Sequence, residues 1–252
     1  MRESTVQQLN ALNHTFYETI AMQWHQSRKT AWSGFARVLD ALPAEPTSVL
    51  DVGAGDGRFA AYLSERLATP FEYTGIDASQ ALLELARARK LAASCRFVHA
   101  DFLRDDQWEP KQRFSLIVLL GVLHHVPSLA LRTRLLTRVA ARLAPGGSLA
   151  LTFWRLAEDA RFARRRLPVT TYNATASQPI PHDDLEPGDT LVRWGAGDAP
   201  PRYCHMADDA EIAALVASTG LEAYARFRSD GRGDALNEYV ILRAAEPQAR
   251  HP

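Results

Sequence analysis

Cysteine is nearly absent from this chain: Cys95 and Cys204 are the only two in 252 residues, and neither belongs to a Cys-x-x-Cys pair. That excludes a disulfide framework and a four-thiolate zinc site, so both are read as reduced thiols. Lysine is almost as scarce. Of 29 basic residues only Lys29, Lys90 and Lys111 are lysines, so positive charge is carried by planar, bidentate guanidinium groups rather than by ammonium point charges. Net charge is absent too, with 29 basic against 29 acidic residues. No whole-chain field draws the protein to nucleic acid or membrane, and a polyanion would have to be held locally. The longest apolar run, Leu116 to Leu123, is under half of the roughly 20 residues a membrane span requires. The start, Met1-Arg2-Glu3-Ser4, carries no apolar signal segment, so a soluble cytoplasmic protein without a membrane partner is expected. What remains is 46% hydrophobic and 23% charged, ordinary for one α/β domain with an elaboration.

Apolar residues at Leu9, Leu12, Phe16, Ile20 and Trp24 recur at helical spacing, and a second amphipathic stretch, Thr30 to Leu42, ends at Pro43 and Pro46. The period then changes. Ser48 to Val52 reads as a buried strand that runs into Gly53-Ala54-Gly55-Asp56-Gly57 and a helix from Arg58 to Leu67. The alternation repeats with a strand at Phe71–Ile76, a helix at Ser79–Leu91 and strands at Arg96–Ala100 and Phe114–Leu120. A helix at Leu129–Leu143, the turn Pro145-Gly146-Gly147 and a strand at Ser148–Trp154 follow. This predicts a mostly parallel sheet with helices on both faces. After Arg155 the pattern fails for about 50 residues, a length that is usually functional or disordered. A helix at Asp208–Ser218 and strands at Leu221–Arg228 and Glu238–Arg243, joined around Gly231-Arg232-Gly233, complete the chain.

Gly53, Gly55 and Gly57 remove side chains where the chain turns sharply beside a ligand, at the start of a helix whose free N–H groups face the same space. Twenty residues past Gly57, Asp77 closes the second strand, where a carboxylate can accept both hydroxyls of a ribose. Asp101 ends the third strand and could accept from an exocyclic adenine amine, with Phe102 stacking on the base. Dinucleotide enzymes also use a glycine loop. Asp51, two residues before the first glycine, and the Gly-x-Gly-x-Gly spacing point elsewhere: with no pyrophosphate to cradle, acids at 51 and 56 suit a ligand carrying a sulfonium and an ammonium. Val49 to Gly57, then Asp77, then Asp101, resemble the class I S-adenosylmethionine-dependent methyltransferases. That resemblance implies S-adenosylmethionine as cofactor and a Rossmann-like, seven-stranded, mostly parallel sheet with an antiparallel last strand.

The acceptor side needs its own reading. After the fourth strand come Leu120-Gly121-Val122-Leu123-His124-His125, so the Asn/Asp-Pro-Pro-Tyr signature of enzymes methylating adenine or glutamine nitrogen is absent. Neither cysteine follows a proline, which argues against pyrimidine carbon methylation. Two histidines at a strand's C-terminal end lie where open α/β sheets bind ligands; adjacent side chains diverge, so one is expected to face the site and the other to cap the next helix. No carboxylate or cysteine lies near them in sequence, and no metal site is expected.

A narrower likeness completes the reading. Phe16 to Ala21, Ser27-Arg28 with Trp32, Val122 to His125, Gly188 to Trp194, and Arg202-Tyr203-Cys204-His205 are similar, in order, to the tRNA wobble-uridine carboxymethyl methyltransferases, which esterify a carboxymethyl group on uridine. The resemblance implies catalytic or binding roles for Arg28, His124 and His125, cofactor contacts from Tyr17 and Leu120, and an acceptor pocket at Trp194, Tyr203 and His205. It also implies a tRNA acceptor, and the eukaryotic members work with a small activator protein. A carboxylate is already ionised at neutral pH, so its methylation needs placement rather than a strong base, and a guanidinium and an imidazole suit it as clamps. Arg28 could equally grip the cofactor's own carboxylate. Arg161, Arg164, Arg165 and Arg166 form a basic cluster that could meet tRNA, and a small-molecule O- or N-methyltransferase of the same fold is the alternative. The expected organisation is one domain: an N-terminal helical cover (1–45), a cofactor-binding core (46–154), a substrate lid (155–205), and a final helix and strand pair (206–245).

Overall fold

The computed structural model describes residues 1–28, 30–91, 94–104, 111–155, 160–195, 199–231 and 233–244. In chain order the elements are α1 (Glu3–Gln26), α2 (Ser33–Asp40), β1 (Ser48–Val52), α3 (Arg58–Arg66), β2 (Glu72–Asp77), α4 (Gln80–Arg87), β3 (Ser94–His99), β4 (Phe114–Leu119), α5 (Leu129–Ala140) and β5 (Leu143–Trp154). They continue with α6 (Ala160–Ala163), β6 (Arg166–Leu167), α7 (Val169–Asn173), β7 (Asp189–Val192), β8 (Arg202–His205), α8 (Asp209–Ser218), β9 (Glu222–Ser229) and β10 (Asn237–Arg243). Seven strands form one sheet in the order β3-β2-β1-β4-β5-β10-β9, with β10 antiparallel to both of its neighbours, as the alternation and the family likeness predict. No described helix is long and apolar enough to cross a membrane.

The period of two along each strand divides the core. Val49, Leu116, Val118, Ala150 and Ile241 pack toward α2 and α3, through Phe35, Val38, Phe59 and Leu63. Their neighbours Leu50, Ile117, Leu119, Leu149, Leu151 and Leu242 pack toward α5 and α8, through Leu135, Leu136, Ile212 and Leu215. A strand buried on both faces has no polar alternation to preserve, which is why β4 is apolar without a break from Leu116 to Leu119. The chain leaves β1 toward β2 on one side, while β4 lies on the other, so a crevice opens beyond the C-terminal ends of these strands.

Three local expectations need correction. Segment 155–205 is not irregular throughout: it contributes a three-stranded antiparallel sheet, β6-β7-β8. These strands are two to four residues long and lie among prolines, too short to show a period. Pro145-Gly146-Gly147 is not a separate turn but lies inside β5, at a register irregularity against β4 between Phe114 and Leu116. Neither His124 nor His125 caps α5; both sit in the 3-10 turn Leu123–His125, and Ser128 is the cap, its hydroxyl accepting from the Leu131 amide at 3.3 Å. Arg232 and the side chain of Arg161 lie outside the described residues.

Helix α1 crosses the open end of the sheet and touches both halves of the molecule. Near its start Leu9 packs with Leu167, Ile180, Leu191 and Tyr203 from the small sheet and its connections. Near its end His25 Nδ1 lies 2.6 Å from Asp56 of the glycine loop.

Candidate functional site

The crevice becomes a cavity because α1 roofs it. Of the residues singled out for the cofactor, Tyr17, Asp51, Gly53, Gly55, Asp77, Asp101, Phe102 and Leu120 all line it. Gly57 does not; it is the left-handed residue before α3, where a Cβ would lie 3.0 Å from that of Ala86. Gly53 has φ +81°, and a Cβ there would meet Val122 at 2.4 Å, so backbone conformation and close packing both demand glycine. At Gly55 an added Cβ meets nothing within 4 Å: its bare backbone borders open cavity.

Three carboxylates stand along this end. Asp51 is 3% exposed, accepts from the Tyr73 hydroxyl, and has no ion-pair partner among the described residues. Burial pushes it up to about 7, with the Tyr73 bond pulling the other way. Asp77 accepts from the amides of Gly55 at 2.7 Å and Ser79 at 2.8 Å, so the loop and the start of α4 fix both its oxygens; burial raises it as well. Asp101 accepts from Asn10 Nδ2 at 2.8 Å and the Leu103 amide at 3.0 Å, with His14 Nε2 at 3.5 Å. Burial would raise Asp101, but the bonds from His14 and Leu103 outweigh it and lower the carboxyl, while the same Asp101 contact raises His14. The fourth acid, Asp56, is already paired with Arg89 at 2.6 Å and Arg58 at 3.4 Å, and His25 Nδ1 lies 2.6 Å from it.

S-adenosylmethionine fits this end on the chemistry of its donors. A buried carboxylate with no ion-pair partner among the described residues matches a positively charged ligand group, and the open face of Gly55 leaves room beside an oriented Asp77.

Arg28, His124 and His125 line the same cavity. The Arg28 guanidinium lies 3.1 Å over the Trp24 ring and donates to Ser27 Oγ at 3.0 Å; among the described residues it pairs with no carboxylate. Burial first, then the neighbouring Arg58, lower it to about 9, still charged at neutral pH. His125 has a fixed tautomer: Nδ1 lies 2.8 Å from the Tyr203 carbonyl, which can only accept, so Nε2 is the acceptor for the Tyr17 hydroxyl at 2.7 Å. Burial, then Arg202, push His125 down to about 3. His124 stacks on Trp154 at 3.5 Å with neither ring nitrogen hydrogen-bonded.

The three residues assigned to the acceptor pocket do not line the cavity. Tyr203 donates to Asp189 at 2.6 Å and is buried against α1, so only its backbone serves the site, through His125 and through its amide on Asn13. His205 uses both ring nitrogens, on Asp189 and Glu211, each at 2.7 Å. Glu186, near both, binds the buried Arg132 at 2.7 Å, so the donors of this acidic cluster are satisfied within the chain. Trp194 stands outside the cavity, its ring 6.3 Å from that of Trp24. The sequence reading overlooked the cavity-lining Asn10, Asn13, His14, Trp24 and Trp154. Asn10, Asn13 and Tyr17 recur at three- and four-residue spacing on α1, a signal obscured by the apolar stripe beside it.

A family model described as a methyltransferase domain matches residues 23–225. An uncharacterized methyltransferase of Mycobacterium tuberculosis is 36% identical over 115 residues, covering 45% of this chain and 54% of that protein, so the chain spans about half the length of this relative. The trans-aconitate 2-methyltransferase of Streptomyces coelicolor is 32% identical over 235 residues, 86% of this chain and 75% of that protein. The probable tRNA methyltransferase 9B of Mus musculus is 29% identical over 171 residues, 66% of this chain but 34% of that protein. Among solved structures, the 1,6-didemethyltoxoflavin-N1-methyltransferase of Burkholderia thailandensis aligns with a TM-score of 0.64 at 18% identity, covering 96% of this chain and 91% of that one.

Proposed function

The chain belongs to the methyltransferase-domain family, with S-adenosylmethionine as cofactor, and from that premise we propose that it methylates the oxygen of a carboxylate. The observation that carries this reading is that one cavity is lined both by a buried acid, Asp51, and by a guanidinium, Arg28, neither with an ion-pair partner among the described residues. S-adenosylmethionine, when bound, supplies an electrophilic methyl group on a sulfonium. Asp51 would hold the cationic part, Asp77 the ribose hydroxyls, and Asp101 with Phe102 the adenine. On the acceptor side Arg28 anchors the carboxylate, which arrives ionised. His125, pushed down to about 3, is too weak a base to be needed here; its Nε2 accepts from the Tyr17 hydroxyl and fixes that group at the cavity wall. The described residues of 155–205 do not line the cavity; the lid role left to them is to hold α1 over it, through Leu167, Ile180, Leu191 and Tyr203 packed around Leu9.

A small-molecule carboxylate is the acceptor we favour, because the relative matched over most of both chains is named for trans-aconitate, a tricarboxylate. A second reading, the carboxymethyl group of a tRNA wobble uridine with a small activator protein, rests on the motifs around Arg28, His125 and Arg202 and on the tRNA methyltransferase 9B match. One assay addresses the chemistry: protein, S-adenosylmethionine and either trans-aconitate or tRNA bearing carboxymethyluridine, with products read by mass spectrometry before and after mild alkali. An alkali-labile methyl ester is expected. A methyl group that survives alkali overturns carboxylate methylation.

A further inference from the structure

Two side chains beside the cavity keep polar atoms that nothing in the chain satisfies. His124 is 3% exposed and lines the cavity, and both its ring nitrogens lack a hydrogen-bond partner. Arg202, on β8, is 6% exposed, and its Nε and Nη1 are likewise unpartnered. Its guanidinium is boxed by three rings, with Phe16, Trp24 and Trp154 centroids at 4.8, 5.3 and 5.1 Å, and it hydrogen-bonds the Cys204 thiol, a neutral group. No described carboxylate lies within ion-pair distance of it. Ring faces attract a guanidinium but do not satisfy its N–H donors, and a buried unpaired charge is costly unless a ligand completes it. Trp154 joins the two orphans: His124 stacks on it, Arg202 lies against it, and it lines the same cavity.

We propose that Arg202 and His124 form a second anion subsite, separate from Arg28, which takes a non-reacting carboxylate of a small di- or tricarboxylate acceptor. The inference rests on the carboxylate reading above and narrows it. The reacting carboxylate is held at Arg28; the second reaches the Trp154 corner, accepts from the Arg202 fork and takes the one N–H of a neutral His124. His124 lines the cavity, and the buried Arg202 lies against the Trp154 ring that lines it. A compact acceptor can bring a second anion there, whereas a phosphate fixed on a polynucleotide strand stays at the mouth.

The test uses the full chain saturated with S-adenosylhomocysteine and titrated calorimetrically with tricarballylate and, separately, butyrate. The wild type is expected to bind tricarballylate at least about ten-fold more tightly than butyrate. Arg202→Gln should remove about that factor for tricarballylate and change butyrate by less than about three-fold, with Arg202→Lys between the two. S-adenosylhomocysteine binding by each variant reports that it has folded; should Arg202→Gln fail this check, the wild-type ratio and His124→Phe, expected to weaken tricarballylate selectively, decide the matter. A wild-type ratio near one, a ratio that survives in folded Arg202→Gln, or binding of neither acid at about 10 mM overturns the subsite. Esterification of carboxymethyluridine in tRNA that tricarballylate does not inhibit overturns it as well. Methyl esters formed without preference for polyacids defeat this inference alone, whereas alkali-stable products defeat the carboxylate reading beneath it.

Discussion

Asp51 is a carboxylate with a hydroxyl for a neighbour and no ion-pair partner among the described residues, and its titration is the most direct handle on the cofactor end. A proton and a cationic ligand compete for it. With the carboxyl held near 7 by burial, the ionised form that a cation selects is complete about one unit above that value and is progressively lost below it. Affinity for S-adenosylhomocysteine, which keeps the ammonium group, should therefore be flat above about pH 8 and weaken toward ten-fold per unit below about pH 7. Asp51→Asn should abolish that slope and reduce affinity at pH 8 by at least about ten-fold, as read by quenching of the cavity tryptophans. His14 and Asp101 also face the cavity and titrate, so the difference between wild type and variant isolates Asp51. A wild-type profile that stays flat to pH 6 would show the carboxylate ionised throughout and remove Asp51 as the cation holder.

At the scale of elements, the small sheet is fastened to the core by a buried ionic knot. Arg132 on α5, 1% exposed, binds Glu186 before β7 and Glu211 on α8, each at 2.7 Å, and donates to the Val126 carbonyl at 2.9 Å. Glu211 and Asp189 in turn hold His205 on β8. Removing Arg132 would leave two carboxylates facing each other across the knot, so Arg132→Ala should cost about 3 kcal/mol by denaturant unfolding, the lower part of the range for a broken buried pair because both glutamates keep some solvent. For His205, burial works to lower the imidazole, but the bonds to Asp189 and Glu211 prevail and raise it. Its contribution is therefore complete below the ordinary histidine value of about 6.5 and is lost as pH rises through the raised one. The stability gap between wild type and His205→Gln should narrow between pH 6 and pH 9, and a gap that widens would mean His205 is held neutral. This knot also marks where sequence reading stopped. The alternation of strands and helices, the glycine loop and the acids at strand ends follow from local period and spacing and were legible, whereas the seven strands and the antiparallel last one came from the family likeness. The strands β6, β7 and β8 are only two to four residues long, and the inward burial of Tyr203 and His205 depends on Asp189, 14 and 16 positions away, and on Glu211, itself held by Arg132 from 79 positions away. No local pattern encodes that pairing, so two residues of a knot were taken for residues of a pocket.

Over the whole molecule the formal charge is zero, yet the cavity gathers charge of both signs, with Asp51, Asp56, Asp77 and Asp101 beside Arg28 and Arg58. Neutrality is thus a sum of opposed local fields, and it limits what the outer surface can do with a polyanion. Exposed guanidinium groups gather where β6 meets β7: Arg164, Arg165, Arg166 and Arg193 are all exposed, and the Arg193 amide donates to the Arg165 carbonyl at 2.9 Å. If tRNA is the acceptor, this patch is its footing. Each phosphate neutralised releases counterions worth about 0.7 to 0.9 in the slope of log affinity against log salt, so four arginines set a slope no steeper than about −4. Fluorescence anisotropy of a labelled tRNA between about 50 and 200 mM salt measures that slope, and Arg165→Glu should make it shallower by about one to two. A compact acceptor bound inside the cavity has no such dependence, because buried charge pairs are poorly screened. A steep slope would mean that tRNA meets a face far larger than this patch; a flat one, with tricarballylate still bound, would mean that the only anions this neutral chain collects are those small enough to enter between Arg28 and Arg202.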